Sequence, residues 1–161
     1  MTTTYDKMPM TFRGKAMLEA ELKRLMHEER PSVIKAIEEA RAHGDISENA
    51  EYEAAKEKQG MIEARIADIQ GKIASSEAVD PATIKSDRIV FGATVTVLDL
   101  DENVKVTYMI VGIDEADVKA GKISIMSPIA RALIGKRVGD VGVAQSPKGD
   151  REYEVISFLF K

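Results

Sequence analysis

The chain has 161 residues, 44% of them hydrophobic and 31% charged, a balance that excludes a disordered polymer and suits a chain that builds a core. It has no cysteine and only two histidines, His27 and His43, which excludes disulfides, thiolate metal sites and a histidine cage, so metal chemistry would fall to carboxylates. The net charge of −4 lies wholly in the first half, with 12 basic and 16 acidic side chains in residues 1–80 against 11 of each in 81–161; a surface gripping nucleic acid by its phosphates would be net basic, so a protein partner is expected.

The start, MTTTYDKMPMTF, lacks the apolar segment of a secretory signal, and no apolar run nears the roughly 20 residues of a membrane helix, which points to the cytoplasm and away from membranes. Residues 1–8 read as a mobile tail. From Thr11 to about His43 the chain is rich in Ala, Leu, Glu, Lys and Arg, with Leu18, Leu22 and Leu25 at spacings of four and three, the pattern of a long amphipathic helix. Pro31 interrupts it, because an interior proline removes a hydrogen bond and crowds the preceding turn. Beyond it the apolar stripe resumes as Val33, Ile37 and Ala40, one position out of phase. A kink that re-phases the stripe accounts for both facts.

From about Glu48 to Ser76, a second stretch places Tyr52, Ala55, Gln59, Ile62, Ile66, Ile69 and Ile73 at alternating steps of three and four, a heptad seam. Only the short break at His43, Gly44 and Asp45 separates the two, so an antiparallel hairpin is expected, with Gly44 at the left-handed position after the first helix. After Asp80-Pro81 the period changes to alternation. Strands are expected at 94–97, 104–108, 122–126, 141–145 and 152–158, with turns at Asp99, Asp101 and Asn103 and at Pro147 to Asp150. A short helix is expected from Pro128 to Leu133, capped by Ser127. The fold class is therefore α+β: a helical hairpin over residues 1–80, with its tip at 44–52, then a small, mainly antiparallel α+β domain over 81–161.

The tip reads Gly44-Asp45-Ile46-Ser47-Glu48-Asn49-Ala50-Glu51-Tyr52, and its acids admit two readings. Asp45 could cap the second helix with Glu48 completing a capping box. Alternatively, the short spacing gathers two carboxylates that can share a hard divalent ion such as Mg²⁺. Two carboxylates are too few for a tight site, so such an ion would be held well only inside another active site that adds waters and phosphates.

The segment GDISENAEY, preceded by Ala40-Arg41-Ala42-His43, resembles the tip signature of the GreA/GreB transcript-cleavage factors. The resemblance continues through EAAKEKQG, PATIKSDRIVFGATVTVLDLD and SPIARALIGKRVGD, covering nearly all of the chain from Pro9 onward. It implies an antiparallel coiled coil that enters the secondary channel of bacterial RNA polymerase, and an FKBP-like C-terminal domain that docks at the channel entrance. It further implies an accessory factor rather than an enzyme: one that stimulates the polymerase's own Mg²⁺-dependent cleavage of backtracked RNA 3′ ends. The catalytic and metal-holding acids of the family fall on Asp45 and Glu48, and the ion is shared with the polymerase.

Ser47 and Asn49 could orient water at the tip, and Tyr52 could lie beside the RNA; all three also suit a helix start or seam. Ser127, Pro128 and Ile129 match the family segment that faces the polymerase rim coiled coil, although Met126 stands where one branch of the family has an acid. Lys15, Lys23, Arg24, Arg30 and Arg41 could form a basic strip, or simply a solvated helix face. The free protein is expected to be a monomer. The resemblance leaves one alternative of the same architecture, a channel binder that inhibits transcription.

Overall fold

A computed structural model describes residues 8–44 and 49–161, so the expectations for the tail up to residue 7 and for Asp45, Ser47 and Glu48 lie outside the described residues. The chain forms two compact bodies. One is Ala16–Ser75; the other combines the described residues up to Lys15 with Ser76–Lys161.

The first body is the helical hairpin. Helix α1 (Phe12–Arg24) runs through a π-helical turn, Leu25–Glu29, into α2 (Arg30–Ala42), and Arg24, Glu29 and Arg30 all keep right-handed helical dihedrals. The expected re-phasing is present, but a widened turn delivers it rather than a simple kink. The Arg30 N–H bonds back to the Leu25 carbonyl, five residues earlier, which lodges one extra residue in the turn. Pro31 follows at the start of α2, where its missing N–H and bulky ring are tolerated. The extra residue turns the stripe back toward one face, and Leu18, Leu25, Val33, Ile37 and Ala40 are all buried.

Helix α3 (Ala50–Ser75) supplies the facing stripe, with Ala55, Ile62, Ile66 and Ile69 buried. Tyr52, Gln59 and Ile73 sit half-buried on the same seam, while Ala50 and Ala54 are exposed. Cross-links fix the antiparallel sense, since partners on α3 descend in number toward the bend as those on α1 and α2 rise. The Arg65 guanidinium grips Glu21 at 2.8 and 2.9 Å, Arg30 grips Glu63 at 2.7 and 2.8 Å, and Asn49 reaches Ala40.

The second body is built on a five-stranded sheet in the order β5-β4-β3-β7-β6, comprising β3 (Ala93–Asp99), β4 (Val104–Val111), β5 (Lys122–Ser124), β6 (Val141–Ala144) and β7 (Arg151–Phe160). All pairings are antiparallel except β4 with β5. Strand β3 alternates strictly between buried and half-buried residues, and Val95 and Val97 meet Ala130 and Leu133 of α4 (Pro128–Leu133) in one core. Ser127 caps α4 as expected, accepting from the Ala130 N–H at 3.2 Å. The Asp99 carboxylate accepts from the N–H groups of Asp101 and Glu102, and Asn103 takes a positive φ of 56°, which closes the β3–β4 turn. Gly149 at φ 121° serves the β6–β7 hairpin.

Two strands were not anticipated. Met8–Thr11 (β1) pairs in parallel with Ser76–Val79 (β2), so Met8 belongs to a strand rather than a tail, and α3 stops at Ser75. This pairing joins the start of the chain to the sheet-containing body, whereas the sequence reading assigned residues 1–80 to the hairpin. Four-residue strands with no alternation, paired across an intervening helical hairpin, leave little periodic signal.

The cross-helix ion pairs carry a pH prediction. Hydrogen bonding to Arg65 holds the Glu21 carboxyl below its ordinary range, and Arg30 does the same to Glu63. A carboxylate with a depressed folded pKa contributes stability above its unfolded value and loses it as pH falls through the folded value. Melting followed by circular dichroism should therefore show the hairpin weakening below the ordinary glutamate range of about pH 4.3. Glu21→Gln with Glu63→Gln should flatten that part of the profile; an unchanged acid limb would show that these pairs add nothing.

Candidate functional site at the hairpin end

The bend is built from helix ends that satisfy one another. At the close of α2, His43 N–H bonds to Ala40 O at 3.2 Å and Gly44 N–H to Arg41 O at 3.3 Å. Gly44 takes φ 104°, the conformation for which a glycine was expected there. On the other side, Asn49 Oδ1 accepts from the Tyr52 N–H at 3.1 Å, and the Asn49 carbonyl accepts from Glu53. That is the bonding pattern of an N-cap. Asn49 Nδ2 also donates to the Ala40 carbonyl at 2.7 Å, so one side chain caps α3 and ties it to the end of α2.

The described helix α3 is capped by Asn49, with Tyr52 at its third helical position; the capping-box reading of Asp45 and Glu48 lies outside the described residues. Asn49, expected either to orient water or to be an ordinary start residue, is the residue that closes the bend. Its signal was legible, since Asn ranks among the strongest N-caps, but Asp45 and Ser47 offered competing caps within the same few residues.

Tyr52 is half-buried on the seam, with the Arg41 guanidinium carbon 5.7 Å from its ring centroid, a cation–π spacing. His43 Nδ1 lies 3.5 Å from a Glu51 oxygen, both well exposed. The basic strip is largely engaged within the hairpin, as Arg24 pairs with Glu29, Arg30 with Glu63 and Arg41 with the Tyr52 ring. Among the described residues no group of three or more His, Cys, Asp or Glu could hold a metal, and no helix is long and apolar enough to cross a membrane.

In the second body, Ser127 serves as the α4 cap and Ile129 packs against the core, while Pro128 and Arg131 are exposed. Beside them lies an open groove of about 310 Å³, lined by Met126, Pro128, Arg131, Ala132, Val143 and Gln145. Gly142 of β6 backs onto α4 so closely that a Cβ would stand 2.5 Å from the Ala132 carbonyl oxygen, which fixes one wall of the groove.

Comparison with known proteins accords with this architecture. Residues 8–77 match the family described as transcription elongation factor, N-terminal, and residues 84–159 match transcription elongation factor, GreA/GreB, C-term. Transcription elongation factor GreA of Ralstonia nicotianae is 60% identical over 91% of this chain and 94% of its own. That of Hyphomonas neptunium is 55% identical over 97% and 99%. The crystal structure of GreA factor homolog 1 from Thermus thermophilus, 28% identical, covers 94% of this chain and 98% of its own, with a TM-score of 0.44. A helical hairpin followed by a small, mainly antiparallel body, matched along nearly its whole length by such models, is a transcription elongation factor. The chain belongs to the GreA/GreB family.

Asn49→Ala removes the α3 cap and the link to Ala40 together. It should lower stability by about 1–2 kcal/mol, with Asn49→Asp, which keeps the cap oxygen but loses the donor, falling between. Thermal unfolding checks this, and a wild-type midpoint for Asn49→Ala would refute the role.

Proposed function

We propose that this protein binds bacterial RNA polymerase, presents its hairpin end in the secondary channel, and stimulates the polymerase's own cleavage of backtracked RNA. The observation that carries the proposal is the hairpin itself. Two long helices close at a bend whose sequence holds two acids, and Asn49 caps the second of those helices. The protein acts as an accessory factor: it brings ligands, and the polymerase brings the rest of the active site.

The donor set fits Mg²⁺ in a limited way. Asp45 and Glu48 offer hard carboxylate oxygens, the type this ion prefers, but too few to hold it without waters and phosphate oxygens from elsewhere. When bound, the ion would supply the Lewis acidity that makes water a nucleophile and neutralises charge on the phosphodiester. Asp45 and Glu48 would hold it by their oxygens and accept hydrogen bonds from the attacking water, and Ser47 could donate to or accept from that water. The Tyr52 ring and the Arg41 cation next to it offer a surface for a nucleotide near the RNA 3′ end.

For docking, the groove beside α4 is the complementary part of the proposal. Pro128, Met126 and Arg131 would meet the polymerase rim coiled coil, with Ser127 and Ile129 holding the helix that presents them.

The test uses a stalled, backtracked elongation complex with 3′-labelled RNA and Mg²⁺. Wild-type protein should release short labelled fragments rapidly. Asp45→Ala and Glu48→Ala should keep fold and polymerase binding yet lower stimulated cleavage by about 100-fold or more. Undiminished cleavage by both variants would refute the assignment of the acids. Binding without cleavage by the wild type would instead make the protein a channel-binding inhibitor.

A further inference from the structure

The groove beside α4 has a make-up that narrows what can occupy it. It is apolar at Met126, Pro128, Ala132 and Val143, and Met126 and Val143 are 48% and 49% exposed. Its two other lining residues, Arg131 and Gln145, are polar, and none is acidic. At about 310 Å³ and open to solvent, it stands at the small end for a small-molecule site, which would also enclose most of its ligand. An apolar patch edged by an arginine is instead the composition of a protein interface, where that residue type is enriched.

Arg131 is fixed at its base. Its N–H bonds to the Ser127 carbonyl at 3.0 Å, and its neighbours Ala130 and Leu133 are fully buried in the core. The residue itself is exposed, and among the described residues no carboxylate pairs with it. In the same body Arg137 pairs with Asp87, and Arg151 with Asp99 and Glu102. A basic residue in the last turn of α4 also meets the negative end of that helix, but this gain needs only a positive charge and no place on a groove.

The sign of the partner follows. A guanidinium on an apolar patch gains most from an anion, because the surround excludes the water that would otherwise screen the pair. The chain carries a net charge of −4, so a nucleic acid, which needs several cations to hold its phosphates, is a poor occupant for a groove with one. A single carboxylate on a protein segment meets the local attraction without that repulsion.

We infer that Arg131 is the specificity-determining cation of this groove, pairing with a carboxylate on the polymerase segment seated there, beside an aliphatic side chain held between Met126 and Val143. The inference rests on the docking reading given above and deepens it by naming the chemistry of the partner.

Full-length wild type, Arg131→Ala, Arg131→Lys and Arg131→Glu are titrated with bacterial RNA polymerase by fluorescence anisotropy, with circular dichroism recording fold, and are then compared at saturation in the backtracked-complex assay. Arg131→Ala should raise the dissociation constant by about tenfold or more. Arg131→Lys should recover part of that loss by keeping the charge, and Arg131→Glu should bind several times more weakly than Arg131→Ala. Because the bend is untouched, the maximal cleavage rate of Arg131→Ala should stay within about twofold of wild type. Dissociation constants within about twofold of wild type for all the variants overturn the inference and leave docking itself intact. So does Arg131→Glu binding as tightly as Arg131→Ala or more tightly, since an acidic partner must repel the introduced glutamate. A folded wild type that does not bind polymerase overturns the docking reading, and this inference with it.

Discussion

Two helices packed side by side share one face, and every apolar side chain that stabilises the pair must return to that face turn after turn. In this protein the requirement meets a proline in the middle of the first arm. An ordinary helical turn would leave the proline without room and would carry the later apolar residues off the seam. The π turn at Leu25–Glu29 resolves both by admitting one residue, so that Val33, Ile37 and Ala40 lie buried with Leu18 and Leu25. The bend, with whatever chemistry it carries, depends on the seam holding its register all the way along.

Around that seam the polar groups divide the work. Arg30 with Glu63 and Arg65 with Glu21 are two-pronged pairs across the helices, and they fix the relative register of the arms more than they add stability, because they are partly exposed. At the bend, the single Asn49 amide serves both helix ends. In the other body the Ser127 cap and the close approach of Gly142 to α4 keep the groove beside Met126 and Pro128 in shape.

Much of this could be read from residue order, for a physical reason: local periodicity is written wherever one face is buried. The heptad seam through Ile62, Ile66 and Ile69, the alternation of β3, the Ser127-Pro128 helix start and the glycine at position 44 all follow from rules that act over a few residues. The one-residue phase shift at Pro31 was visible too, although the number of atoms in the hydrogen-bonded ring was not. What escaped was non-local or ambiguous. Nothing in MPMT or SEAV announces that β1 will find β2, and Glu115 stands in an unremarkable acidic loop, Asp114-Glu115-Ala116-Asp117, until the fold brings Thr11 against it. The acids Asp45 and Glu48 were singled out only through the family signature, since spacing alone suits a cap as well as a metal ligand.

The double duty of Asn49 has a consequence for how such proteins diversify. The helix ends on either side of the bend are completed by one amide and one glycine. The described frame of the bend draws on positions 44 and 49, while the chemistry proposed above would draw on the letters between. On that proposal a single base change can exchange an acid in the interval, so a stimulating factor and a silent competitor for the same binding site would stand one or two codons apart. Selection on a population of such genes can tune rescue against blockade without first having to reinvent a fold.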